Sequence, residues 1–98
     1  MRIFFSFLIF VIFYSENADE NCKGKMAGGK KEGVWTCYYE NGKKQEEGAY
    51  KNDLKEGMWK YYHDNGKLAL EGKFEKGTEV GIWKMYNDKG EFIEEIKY

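Results

Sequence analysis

The sequence predicts an all-β fold, a single antiparallel meander sheet of about seven short strands built from 24-residue units. Trp35, Trp59 and Trp83 recur at a spacing of 24, and their surroundings recur with them: GVWTCYYENGKKQEEGAYKNDLKE from Gly33, GMWKYYHDNGKLALEGKFEKGTEV from Gly57 and GIWKMYNDKGEFIEEIKY from Gly81. The segment GKMAGGKKE from Gly24 fits the second half of the same unit. A period of this length signals a stacked array, in which each unit buries its apolar surface against its neighbours. Each unit also carries a turn signal, Asn41-Gly42, Asn65-Gly66 or Lys89-Gly90. Asn-Gly is the strongest short hairpin signal because both central residues of a type I′ turn need positive φ. The chain has 12 glycines, no proline and 18% aromatic residues, a composition that favours strands over helices.

Met1 and Arg2 precede an apolar run from Ile3 to Tyr14, which gives way to the polar stretch SENADEN. A basic start, a short apolar core and a small residue near the cut describe a secretory signal helix over residues 1–18. The run falls short of the roughly 20 residues of a membrane span. Cleavage is expected after Ala18, although Glu16 stands where a small residue is preferred. The alternative is an uncleaved N-terminal segment that anchors the protein to a membrane. The β-repeat domain is then residues 19–98, and its expected location is secreted or periplasmic.

Two-residue hairpins at the turn glycines Gly42, Gly66 and Gly90 set Glu40 opposite Lys43 and Asp64 opposite Lys67. In the third unit Asp88 meets Glu91, a mild conflict. Pairing Tyr50 with Gly57 places the longer connections. Both sets of hairpins then produce the same rows across the sheet. One row is Gly24, Trp35, Gly48, Trp59, Gly72, Trp83, Ile96, and the next is Met26, Gly33, Tyr50, Gly57, Phe74, Gly81, Tyr98. A ring opposite a glycine can lie over bare backbone and restore the packing that glycine forfeits. Side chains alternate faces along a strand, so the opposite face carries Thr36, Glu47, Lys60, Glu71, Lys84 and Glu95, alternating in sign from Glu47, with Tyr38, Tyr62 and Tyr86 beside them. A slip of one residue would scramble both rows. The same register sets Cys22 opposite Cys37 on the tryptophan face. They form either a disulfide, favoured by export to an oxidising compartment, or two small apolar thiols at the sheet edge.

The units G-x-W-x-x-Y-x-x-[ND]-G-K, followed by E-G-x-[YF], resemble the MORN repeat variant of bacterial proteins often labelled YwqK-type antitoxins. The resemblance runs from about Gly24 to Tyr98, with Ile96 in place of the last glycine. It implies a β-repeat scaffold used for protein contacts. MORN repeats in general are associated with scaffolding and with proposed lipid binding.

Little in the chain points to catalysis. His63 is the one histidine, and Tyr39 and Asn87 fill its place in the other units, which reads as a tolerant site beside a turn. Two cysteines and one histidine do not form a spaced metal cluster. The glycine-rich GKMAGGKK lacks the phosphate-loop pattern. A net charge of −1 gives no electrostatic support for nucleic-acid binding. The expectation is a non-enzymatic module with no cofactor and no small-molecule substrate, and with no catalytic or metal residues. Its expected binding face is Trp35, Trp59, Trp83, Tyr50, Tyr61 and Phe74, an aromatic patch larger than soluble monomers usually expose, the alternative for each ring being the core of a rolled sheet. The partner is a protein or a second copy. The alternatives are a toxin-neutralising or immunity role, and attachment to a membrane or polysaccharide surface.

Overall fold

The computed structural model describes residues 21–98, so the signal-peptide and anchor expectations for residues 1–18 lie outside the described residues. Seven strands form one sheet in chain order: β1 (Cys22–Ala27), β2 (Lys30–Tyr38), β3 (Lys44–Lys51), β4 (Leu54–Tyr62), β5 (Leu68–Glu75), β6 (Thr78–Tyr86) and β7 (Phe92–Lys97). Every neighbouring pair is antiparallel. This is the predicted meander, with β1 and β7 as its outer strands.

The two kinds of turn are the reverse of the expected ones. Type I′ geometry occurs in the connections that looked longer. Gly28 and Gly29, Asn52 and Asp53, and Lys76 and Gly77 all have positive φ. They are flanked by the pairs Ala27–Lys30, Lys51–Leu54 and Glu75–Thr78. At the Asn-Gly sites only the glycine is left-handed, with φ of 90° at Gly42, 92° at Gly66 and 88° at Gly90. The Gly42 amide donates to the Tyr39 carbonyl, and the Tyr39 amide to the Lys43 carbonyl, which closes a three-residue loop. Such loops pair a tight turn with a left-handed residue that restarts the strand. The Asn41 side chain accepts from the Lys43 amide at 2.9 Å, fixing the turn from inside, and Asn65 does the same for Lys67. Glu40 and Lys43 are therefore not a cross-strand pair, nor are Asp64 and Lys67, and the Asp88–Glu91 conflict does not arise.

The register of the longer hairpins is as expected through the tryptophan half and then slips. Gly24 faces Trp35 and Glu47 faces Lys60, but Tyr50 faces Lys55 instead of Gly57, and Phe74 faces Glu79 instead of Gly81. Met26 likewise faces Lys31 instead of Gly33. Each slip is a two-residue bulge. Gly33, Gly57 and Gly81, with φ of 74°, 80° and 73°, supply the left-handed residue a bulge of this kind needs. A bulge also strengthens local twist, which curls a one-layer sheet around its own side chains.

The core consists of the tryptophans lying on glycines. Trp35, Trp59 and Trp83 cover Gly24, Gly48 and Gly72, and a Cβ at any of the three would sit 2.0–2.5 Å from ring atoms. Each ring covers only the glycine on the strand before its own, although Trp35 also faces Gly48 and Trp59 also faces Gly72. Each indole N–H donates to the carbonyl of the residue after its glycine, Lys25 at 2.9 Å, Ala49 at 2.9 Å and Lys73 at 3.2 Å. Those carbonyls lie at the register slip, so the indole occupies the gap in the ladder. Ile96 holds the fourth position of this series, opposite Trp83.

On the other face the row Thr36, Glu47, Lys60, Glu71, Lys84, Glu95 is in the predicted register throughout. Glu47 nevertheless binds Thr36 Oγ1 at 2.7 Å and Lys44 Nζ at 3.1 Å, not Lys60. The Thr36 hydrogen bond, then Lys44, hold its carboxyl below the usual value of 4.5.

Gly48→Ala should cost about 1 to 3 kcal/mol by overpacking and shift the Trp59 indole resonance, because its Cβ would lie 2.2 Å from ring carbon Cδ2. Urea melts and NMR of the indole N–H check this. Glu47 contributes stability that is fully present above pH 4.5 and is lost as the pH falls through its depressed folded value. Thr36→Val should flatten that acid-side loss, measured by melts on either side of pH 4.5.

Candidate functional site

The six residues expected to form a binding face lie on one side of the sheet, but most are core. Trp35, Trp59, Trp83 and Phe74 are buried, with Trp59 only 1% exposed, while Tyr50 and Tyr61 are half-buried. Of the two readings open from the sequence, these four rings take that of a rolled-sheet core. Edge-to-face contacts run along it without a break. Trp35 meets Tyr50 at 6.3 Å, Tyr50 meets Trp59 at 5.1 Å and Trp59 meets Phe74 at 6.1 Å. Phe74 then meets Trp83 at 5.0 Å, and Trp83 meets Tyr98 at 6.2 Å. The positive edge of one ring against the face of the next favours this arrangement. Tyr61 lies tilted between Trp59 and Trp83.

Lysines seal the row from above. Lys31 Nζ lies 5.0 Å from the Trp35 ring and 5.1 Å from Tyr50. Lys55 Nζ lies 4.5 Å from Trp59 and 5.3 Å from both Tyr61 and Phe74, and it donates to the Tyr61 hydroxyl at 3.0 Å. Burial works against the Lys55 charge, but the Tyr61 hydroxyl and the neighbouring groups outweigh it, and the ammonium titrates above its usual 10.5. Burial raises the Tyr50 hydroxyl. The aliphatic stems of the lysines cover the rings while their charges stay near water. Sequence reasoning missed these lysines because the bulge, not the simple ladder, brings positions 31 and 55 over the rings.

Several other side chains take places the sequence did not reveal. Val34, Met58 and Ile82 are 63%, 57% and 52% exposed. They fill the same place in each unit, on the face opposite the tryptophans. Their spacing of 24 was legible, but the unit G-x-W treats them as variable. His63 beside its turn also makes a bond to the next unit. Its Nε2 donates to the Tyr86 carbonyl at 2.9 Å, as the Tyr39 hydroxyl donates to the Tyr62 carbonyl one unit earlier. Asn41 and Asn65 likewise donate to the Asp64 and Asp88 carbonyls at 2.8 and 2.7 Å. These bonds staple each short turn to the next. Tyr38, Tyr62 and Tyr86 are half-buried, and the Tyr86 hydroxyl donates to Glu71 at 3.0 Å.

Cys22 and Cys37 are joined in a disulfide between β1 and β2. Among the described residues no group of histidines, cysteines and carboxylates could hold a metal ion.

Because Trp59 is core, Trp59→Ala should destabilise by about 3 to 5 kcal/mol. Lys55→Met keeps the stem and removes the cation, and should cost about 0.5 to 1 kcal/mol. Denaturant melts of both variants check the order.

No curated protein and no solved structure matches the chain. Residues 31–52 and 55–76 each match the MORN repeat variant. Each matched segment opens on a sealing lysine, Lys31 or Lys55, and closes within a type I′ turn, so the two matches to the MORN repeat variant fall in tandem on successive structural units of the sheet.

Proposed function

We propose that this chain is an exported, non-enzymatic binding module whose partner is a protein, engaged at the outer strand β7. The observation that carries this reading is where apolar surface remains open. Along most of the sheet the rings are closed over by glycines, neighbouring rings and lysine stems. At the outer strand β7 Tyr98 is 61% exposed on the aromatic face. Phe92, 55% exposed, lies against Tyr86 on the other face and Ile93 beside it is 52% exposed, so apolar surface is open on both sides of this edge. An outer strand also presents backbone donors and acceptors that a partner can pair with. A second copy of the chain is one such partner. A toxin would be engaged through the same contacts, which is how the antitoxin label of similar bacterial proteins would apply here.

Export is supported by two features, the signal-like residues 1–18 and the Cys22–Cys37 bond, which persists in oxidising compartments. The half-buried state of Tyr38, Tyr62 and Tyr86 weighs against sugar or lipid attachment through the charged face.

Protein isolated from the envelope or medium should lack the N-terminal segment and carry the Cys22–Cys37 bond, as read by intact mass and peptide mapping. Phe92→Ser with Ile93→Ser should abolish self-association in sedimentation or partner capture from the envelope fraction, while leaving the melting temperature close to wild type. Full-length cytosolic protein with reduced cysteines would overturn export. Unchanged association in the double variant would overturn the surface.

A further inference from the structure

The aromatic row is built from repeating notches, and the last notch lacks its cation. Lys31 sits over Trp35 and Tyr50, and one unit later Lys55 sits over Trp59 and Phe74. The third notch lies between Trp83 and Tyr98, whose rings meet edge to face at 6.2 Å just as Trp35 and Tyr50 do at 6.3 Å. The residue that should seal it is at position 79, and that residue is glutamate. Register confirms the equivalence. Lys31 faces Met26, Lys55 faces Tyr50 and Glu79 faces Phe74, each at the same step after the bulge.

The substitution reverses the chemistry of the notch. A carboxylate gains nothing from the negative face of an aromatic ring, and Glu79 is exposed, with no ion pair among the described residues. Tyr98 is 61% exposed, whereas Tyr50 and Phe74, its counterparts, are half-buried and buried. Tyr50 meets a second tryptophan at 5.1 Å and Phe74 meets one at 5.0 Å, but Tyr98 has a ring contact on one side only. An open ring next to a carboxylate attracts a cation, because ring quadrupole and charge act in the same direction.

We propose that the notch formed by Trp83, Tyr98 and Glu79 receives a lysine or arginine side chain from the protein partner. The incoming cation would lie over Tyr98 and pair with Glu79, as Lys55 lies over Phe74 within the chain itself. The molecule thus contains two filled copies of the site it offers to a partner. This deepens the binding-module reading and rests on it.

The test uses the isotope-labelled protein and two short peptides, acetyl-Gly-Arg-Gly-amide and the same peptide with neutral citrulline in place of arginine. The arginine peptide should shift the Trp83 indole and Tyr98 amide signals and leave the Trp35 and Trp59 indoles unmoved. Citrulline should bind roughly fivefold more weakly. Glu79→Gln should weaken the arginine peptide by roughly threefold, since an exposed ion pair contributes little. Glu79→Lys should fill the notch from within, abolish the response and raise the melting temperature. Equal binding of citrulline, equal shifts at all three indoles, or an undiminished response in Glu79→Lys would overturn the proposal. Should no arginine response be seen while Phe92→Ser with Ile93→Ser still abolishes partner capture, the cation notch fails and the binding module stands. No arginine response together with unchanged partner capture in the double variant would sink both.

Discussion

A tryptophan lying flat on a glycine is the contact on which the rest of this protein depends. A one-layer sheet has no facing layer to bury its apolar side chains, and each unit here solves that by laying its largest ring along its own sheet. The ring needs a neighbour without a Cβ, which Gly24, Gly48 and Gly72 provide, and an acceptor for its N–H, which the register slip provides at Lys25, Ala49 and Lys73. The slip in turn needs a left-handed residue, which fixes Gly33, Gly57 and Gly81. The conserved look of G-x-W across the units thus describes one device. The first glycine bends the strand, and the ring covers the backbone that the bend leaves open.

Much of the fold was legible in the sequence because the repeat constrains it so heavily. The tryptophan row and the charge row could be in register together in only one way, and both stand as predicted, as does the meeting of Cys22 with Cys37. The turns were less legible. Asn-Gly suits a two-residue hairpin, but Asn52-Asp53 takes that geometry although neither residue is glycine. The side chain of Asn41 is instead used to accept from the Lys43 amide, which favours the three-residue loop. A local propensity was outweighed by hydrogen bonds between turns of successive units. Asp53 donates to the Lys31 carbonyl and Gly77 to the Lys55 carbonyl, bonds that exist only when the turns are stacked.

The binding surface was the least legible part. Composition shows that an aromatic face exists, but burial of a ring depends on what lies over it. The lysines that do so are separated from their rings by a bulge that period-two reasoning does not see. Lys55 and Glu79 look alike in a sequence, as charged residues on a solvated strand. In the structure one closes a unit and the other leaves its unit open, so the distinction between core and surface falls on a single charge sign. His63 gives the same lesson at the turns, where tyrosine and histidine are unlike in composition and equivalent as donors.

Ile96 gives the array a direction. At Gly24, Gly48 and Gly72 the next tryptophan strand can close down on bare backbone, but at the fourth such position the backbone carries a branched side chain. A ring arriving there would meet Ile96 where its predecessors met nothing. The contact that joins the units is thus used up at β7, and the two outer strands of the described sheet are unlike: β1 carries a glycine covered by a ring, and β7 carries a branched side chain at the equivalent place.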